Sequence, residues 1–333
     1  MDPIEQFMTA VRGRGHSVVL PEGADPRVIQ AARRLVDENI AQPIVLGTAE
    51  EIAQAAKQAG ASLQGVRTIN PPDAEKLGSY IAAYAADRGL NEQVAKRMVA
   101  RPAVFGGMMV KLGDADTMVA GVSTATANVI QAGALTVGYA PGIASASSFF
   151  LMIMPEFRGR KHYPLIFADC AVNIAPTPEQ LADIAIASER SAAKLLGEQP
   201  RVAMLSFSTH GSAAHACVEH ITRALAIARE RAPAASIDGE FQLDAALMPA
   251  VAAKKIKRPS AVAGQANVLI FPDLNSGNIG YKLTQYLAGA RAIGPFLQGF
   301  AQPISDLSRG ASADDIVATT AVCLAQRQGA AGV

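Results

Sequence analysis

Short apolar runs alternate with longer stretches of helical period along the chain. Residues 18–20 read as a strand, followed by the turn Pro21-Glu22-Gly23 and a helix with Ile29, Ala32, Leu35 and Val36 on one face. The same alternation predicts strands at 44–46, 66–69 and 117–120, and helices at 49–59, 74–86, 92–100 and 124–135. In the second half, strands are expected at 165–168, 202–205 and 268–271, and helices at 179–196, 218–231 and 244–253. A helix over 279–287 should follow a Gly277-Asn278 turn. The last helix, 314–326, carries a start signal: Ser312 as N-cap, with Asp315 three residues on as a short-chain variant of the capping box. Strands separated by helices imply parallel sheet with crossover connections, an α/β chain. The Gly/Pro/Ser-rich stretch 141–148 is the first hinge candidate, and 294–299 the second.

Composition narrows the function. Hydrophobic residues make up 50% of the 333 and charged residues 18%, enough to bury a sizeable core. The net charge of +1, the lack of a long basic run and 5% aromatics leave no footprint for nucleic acid. A small anionic ligand needs only a few local arginines or lysines. No apolar run reaches the ~18–20 residues of a membrane helix, so no membrane partner is expected. The start carries Asp2 and Glu5 and lacks a signal peptide's order, so a cytoplasmic protein is expected. Cys170, Cys217 and Cys323 are far apart with no CxxC spacing, so buried free thiols are expected rather than disulfides or zinc ligands. The dinucleotide GxGxxG, the P-loop, HExxH and GxSxG are all missing.

Three segments could carry chemistry. The first, 306–316, sets Ser308, Arg309 and Asp315 beside a helix N-terminus, whose unpaired N–H groups suit an anion. Arg309 could neutralise a phosphate or an oxyanion, and Asp315 could act as a base. A capped helix with a surface arginine explains the same residues equally well. The second, 205–212, puts Ser206, Ser208, Thr209 and Gly211 at a strand's carboxyl end, where small hydroxyls and glycine can wrap a phosphate or simply close a βα loop. His210 there reads as a bystander. The third, 264–282, ends a strand in an Asn/Gly turn bearing Asn275, Asn278, Tyr281 and Lys282.

Together these segments resemble the phosphate acetyltransferase family almost end to end. The resemblance is carried by 19–23 with Asp25 and Arg27, by the FGGMMVKLG run at 105–113 with Asp116, and by 167–169, 203–206 and 237–240. It continues through 266–282, Gly294-Pro295 and Gln298-Gly299 to the closing Asp306-Leu307-Ser308-Arg309-Gly310. Several segments look like the short bacterial, ethanolamine-utilisation form.

The resemblance implies a two-domain α/β fold of the isocitrate/isopropylmalate dehydrogenase type with parallel-rich sheets. It implies a discontinuous first domain, 1–143 plus 300–333, a second domain 144–299 carrying a homodimer interface, and an active site in the cleft. The implied reaction moves acetyl between acetyl phosphate and coenzyme A, a substrate here, with inorganic phosphate as the other product and no metal. Ser308, Arg309 and Asp315 match the family's catalytic serine, arginine and aspartate, and Arg88 aligns with an arginine implicated in coenzyme A binding. The loops at 206–212 and 275–280 would complete the substrate site. Two positions depart. Gln131 stands where the family usually has an arginine for coenzyme A, and Ala311 replaces a common cysteine. Alternatives are the same transfer with propionyl or butyryl phosphate, a non-catalytic coenzyme A sensor like the domains fused to malic enzymes, and, by fold analogy alone, a dehydrogenase.

Overall fold

The computed structural model describes residues 3–328. The outermost positions of the expected first domain, 1–2 and 329–333, lie outside the described residues. In chain order come α1 (Pro3–Val11), β1 (Ser17–Leu20), α2 (Pro26–Asp37), β2 (Gln42–Leu46), α3 (Ala49–Ala59), β3 (Arg67–Ile69), α4 (Leu77–Arg88), α5 (Glu92–Val99), α6 (Pro102–Lys111), β4 (Thr117–Ala120) and α7 (Thr126–Leu135). Then follow β5 (Ser147–Phe157), β6 (Arg160–Ala168), α8 (Pro178–Leu195), β7 (Val202–Leu205), α9 (Ala216–Arg231), β8 (Ile237–Phe241), α10 (Leu243–Leu247), α11 (Pro249–Lys255), β9 (Val268–Ile270), α12 (Leu274–Leu287) and β10 (Arg291–Gln298). The chain closes with β11 (Ile304–Asp306) and α13 (Ala313–Gln328).

These elements form two compact units. One takes 4–138 with 300–328, and the other 139–299. The border falls at 138/139 rather than 143/144. Tyr139 to Ile143 belong with the inserted unit, because Ala140 N–H donates to Gly299 O, Arg190 to Pro141 O and Arg231 to Gly142 O.

The discontinuous unit holds a sheet of order β11-β4-β1-β2-β3, every pair parallel. Its central strands are mostly apolar because helices cover both faces. Val18, Val19, Met118 and Ala120 are all fully buried. From β1 the chain moves outward to β2 and β3, then returns past β1 to β4. The strand order therefore reverses between β1 and β4, and the carboxyl ends of such strands form the crevice where α/β sheets bind ligands. Three adjacent strands, β11, β4 and β1, open their loops there, and α13, α7 and α2 begin from those loops. Helix α6 was missed by periodicity because it is buried on every side, from Val104 to Val110.

The inserted unit holds a sheet of order β10-β5-β6-β9-β7-β8. Strands β6, β9, β7 and β8 pair in parallel, while β5 pairs antiparallel with β6 and with β10. Phe150, Met152, Phe167, Leu269 and Phe271 pack one face of its core. Both hinge expectations fail in part. Ser147 and Ser148 already pair in β5, and 294–298 lies inside β10, where the register shifts between Ile293 and Phe296. Gly294 and Pro295 therefore mark an irregular strand. The helix expected at 244–253 breaks at Met248, because Pro249 cannot continue it and instead opens α11. The Gly277-Asn278 turn is also corrected. The Asp273 side chain accepts from Ser276 N–H and starts α12 earlier, leaving both residues within the helix. A Cβ at Gly277 would stand 2.2 Å from Asp169 O, so glycine permits close packing there rather than a turn. Cys170 and Cys323 are buried as expected, but Cys217 is exposed in the first turn of α9. No described helix is long and apolar enough to cross a membrane.

Candidate functional site

At the carboxyl end of β1, Glu22 is buried and reaches across to the loop after β4. Its two carboxylate oxygens accept four backbone N–H bonds, from Gly121 (2.9 Å), Val122 (3.1 Å), Ser123 (2.9 Å) and Thr124 (2.6 Å), and one from the Ser123 hydroxyl. A carboxylate accepting this many donors locks the loop that bridges the crevice. Gly121 has φ +118°, and a Cβ there would stand 2.5 Å from both N and O of Leu307. Glycine is thus what lets the β4 loop lie against the loop after β11.

Arg27, in the first turn of α2, ties all three loops together. Its Nε and Nη2 donate to Asp25 (3.0 and 2.7 Å), and Nη2 also donates to Val122 O (3.1 Å). Nη1 donates to Arg309 O (2.7 Å) and Ala311 O (2.9 Å). Every guanidinium N–H is used, in a fork that lysine cannot copy. The hydrogen bonds from Arg27 hold the Asp25 carboxyl below the usual aspartate range. Asp25 also accepts from Arg27 N–H as the N-cap of α2.

The loop that Arg27 holds carries Ser308 and Arg309. Both are exposed, and the Arg309 guanidinium makes no hydrogen bond or ion pair with any described residue. Ala311 is buried, in keeping with a packing role at that position. Ser312 and Asp315 form a reciprocal cap at the start of α13. The Asp315 carboxylate accepts from Ser312 N–H and Oγ (both 2.8 Å), and Asp315 N–H donates to Ser312 Oγ (3.2 Å). The side chain offered as a base is therefore also a helix cap, through one of its two oxygens. Just before this loop, Asp306 is buried at the end of β11 and accepts from Thr126 Oγ1 (2.5 Å). Burial, aided by the nearby Glu22 charge and opposed by the Thr126 bond, pushes its carboxyl up to about 6.

Beside this loop cluster lies a cavity of about 330 Å³ whose wall includes Gln131 of α7 and Arg101. Arg88 is not on that wall. It donates to Ala134 O near the carboxyl end of α7, so it meets the helix that carries Gln131 rather than the cavity.

In the inserted unit, the residues expected to wrap a phosphate bond mostly to Glu240 and Gln242. Ser208 Oγ donates to Glu240 (2.7 Å), as does Gly211 N–H (2.8 Å), and Ser208 N–H donates to Ser206 Oγ (3.1 Å). Thr209 Oγ1 accepts from Gln242 N–H (2.9 Å). A carboxylate at the centre of this loop opposes an anion there, and in this structure the Ser208 hydroxyl, the Thr209 hydroxyl and the Gly211 N–H all take part in closing the loop. His210, at φ +48°, bonds Arg258, and burial holds its pKa down. On α12, Asn278 donates to Cys170 O (3.2 Å), and Tyr281 stacks on Phe150 at 4.2 Å between centroids. Lys282 lies over the Tyr281 ring, and Asn275 is exposed. Among the described residues, no group of three or more His, Cys, Asp or Glu could hold a metal ion.

Sequence reasoning did not single out Glu22, Arg27 or Asp306 as holding the loops, nor Arg101 as bordering the cavity. The first two stand in the quoted strand-end segment, where a buried carboxylate and an arginine beside a tight turn were a signal of loop fixing. Arg101 gave no signal beyond preceding a proline.

Comparison with known proteins agrees across the whole chain. The phosphate acetyl/butaryl transferase family model matches residues 3–324. A phosphate acetyltransferase of Thermoanaerobacterium thermosaccharolyticum is 46% identical over 329 residues, 97% of this chain and 99% of the relative. Among solved structures, a phosphotransacetylase from Streptococcus pyogenes has TM-score 0.90 at 39% identity. The EutD phosphotransacetylase from Staphylococcus aureus has TM-score 0.88 at 36% identity. In both cases 98% of each chain is covered.

Proposed function

The chain belongs to the phosphate acetyl/butaryl transferase family, and we propose that within it this protein transfers an acetyl group reversibly between acetyl phosphate and coenzyme A. One observation carries the reading. The Ser308-Arg309 loop stands exposed, with a free guanidinium, at the carboxyl ends of three adjacent parallel strands, and Arg27 fixes its backbone. An unneutralised cation on a held backbone suits charge that develops only during the reaction.

In the proposed step, the oxygen of Asp315 not used by Ser312 takes the proton of the coenzyme A thiol. A free thiol has a pKa near ~8.5, so a base at hand raises the thiolate fraction at neutral pH. The sulfur attacks the carbonyl carbon of acetyl phosphate and a C–S bond forms. The C–O bond to the phosphoryl group then breaks, and phosphate leaves with that bonding pair. Arg309 neutralises the carbonyl oxygen or the leaving phosphate, and Ser308 donates a hydrogen bond to it. Ser206, Asn275, Tyr281 and Lys282 contribute to substrate binding, while Ser208, Thr209 and Gly211 shape their loop. The reading includes a homodimer through the inserted unit, resting on the family resemblance, and a cytoplasmic location, resting on the sequence pattern alone.

The test is thioester formation from coenzyme A with acetyl, propionyl and butyryl phosphate, measured in wild type and Arg309→Lys. Acetyl phosphate should be the best donor. Lysine keeps the charge but loses the planar fork, and turnover should fall ~10²-fold or more. Near-normal turnover with a raised KM would remove Arg309 from the transition state, and a faster longer-chain donor would change the acyl assignment.

A further inference from the structure

We propose that Arg101 supplies the positive charge that binds a phosphate group of coenzyme A, in a pocket whose α7 wall offers only neutral amides. The proposal rests on the acetyl-transfer reading above. The cavity of about 330 Å³ beside the β1 and β4 loops is walled in part by Glu22, Arg101, Ser123, Thr124, Asn128 and Gln131. Arg101 is the single lysine or arginine on that wall. Its guanidinium makes no hydrogen bond or ion pair with any described residue. The Glu22 carboxylate, the one acid on the wall, is turned into the 121–124 loop and accepts five donors there, which offsets its charge toward the cavity. Asn128 and Gln131 can donate hydrogen bonds but carry no charge.

The backbone of Arg101 is fixed. It is the N-cap of α6, followed by Pro102, and proline disfavours a helical conformation in the residue before it. Arg101 accordingly sits at φ −75°, ψ 129°, with its N–H bonded to Met98 O. The chain thus fixes where this exposed side chain leaves the backbone, beside the pocket, and its guanidinium is left without a partner among the described residues.

The chemistry of the two substrates selects which phosphate it meets. Ser308 and Arg309 do not line the cavity. The cavity shares the 121–124 loop with them, because Arg27 bonds both Val122 O and Arg309 O. Acetyl phosphate carries its phosphorus one bridging oxygen from the reacting carbonyl, too near to reach a separate pocket. Coenzyme A holds its sulfur a full pantetheine arm from its nearest phosphate. It can react at one loop while an anionic group sits in the pocket beyond.

Coenzyme A titrated by calorimetry into wild type, Arg101→Gln, and Arg101→Gln combined with Gln131→Arg tests this, together with the KM for each substrate. Arg101→Gln should weaken coenzyme A binding ~10-fold or more, the scale of a charge-assisted contact. It should also flatten the dependence of binding on salt. The KM for coenzyme A should rise while that for acetyl phosphate does not. Returning the charge with Gln131→Arg, on the facing helix, should restore most of the affinity and the salt slope. Equal affinities and equal salt slopes in wild type and Arg101→Gln would overturn the proposal, as would a KM increase confined to acetyl phosphate. If wild type forms no thioester from any acyl phosphate, the acetyl-transfer reading fails, but the titration still decides whether Arg101 holds coenzyme A.

Discussion

Asp306 shows at the scale of one residue how burial changes what a side chain does. Its carboxyl sits at about 6 in the fold, above an ordinary aspartate, because burial disfavours the charged form. Between pH ~4 and ~6 the folded chain therefore holds a proton that the unfolded chain has released. On that account stability falls as pH rises through this window, and the loss remains at neutral pH. Asp306→Asn keeps an acceptor for Thr126 and removes the charge. It should be more stable than wild type at pH 7, by roughly 3 kcal/mol at most, and the two should converge near pH 4. Thermal unfolding of both across that range measures it. A stability difference that does not change with pH would mean that Asp306 titrates as an ordinary carboxylate.

At the scale of elements, the site is held by bonds between loops that no single helix or strand explains. Arg27 joins α2 to the loops after β4 and β11, touching the backbone of Arg309 rather than its guanidinium. It is a positioning residue. Arg27→Lys loses the fork, and the Arg309 loop should shift by a fraction of an ångström to an ångström, enough to cut turnover by up to ~10²-fold. The KM for coenzyme A should move far less. A variant with lowered Tm but unchanged turnover would leave Arg27 a structural role alone. Asp315 presents the complementary case, since it both caps α13 and is proposed as base. Asp315→Asn keeps an acceptor for Ser312 but cannot take a proton. Activity should fall strongly while stability drops by less than ~1 kcal/mol, below the usual cost of a lost cap. Survival of activity with a clear loss of Tm would make the cap its whole function. The sequence could announce the cap, because Ser312 and Asp315 are three residues apart. It could not announce Arg27, whose carbonyl acceptors lie 95 to 284 residues away.

At the scale of the molecule, local pattern determined most of the parallel architecture. Strands 117–120 and 202–205 and helix 49–59 stand where apolar runs and helical period put them. The ordered segments ending in Asp306-Leu307-Ser308-Arg309-Gly310 determined the family, because they are chemical identities that need no coordinates. The antiparallel additions β5 and β10 were not legible. Each pairs with a strand whose identity depends on how the whole sheet is ordered, and the glycine and proline of β10 mimic a hinge. The early start of α12 was likewise hidden, since Gly277 reads as a turn until Asp169 O is seen against it. Only the tertiary structure decided which polar groups are free. The Ser208 hydroxyl and the Gly211 N–H, which spacing alone offers to a phosphate, are engaged by Glu240 in the fold, and Arg101, on which the sequence is silent, borders a cavity. The physical reason is the same in each case. A residue's type and spacing fix what it can donate, accept or bury, but whether that capacity is already satisfied depends on groups brought near it by the fold.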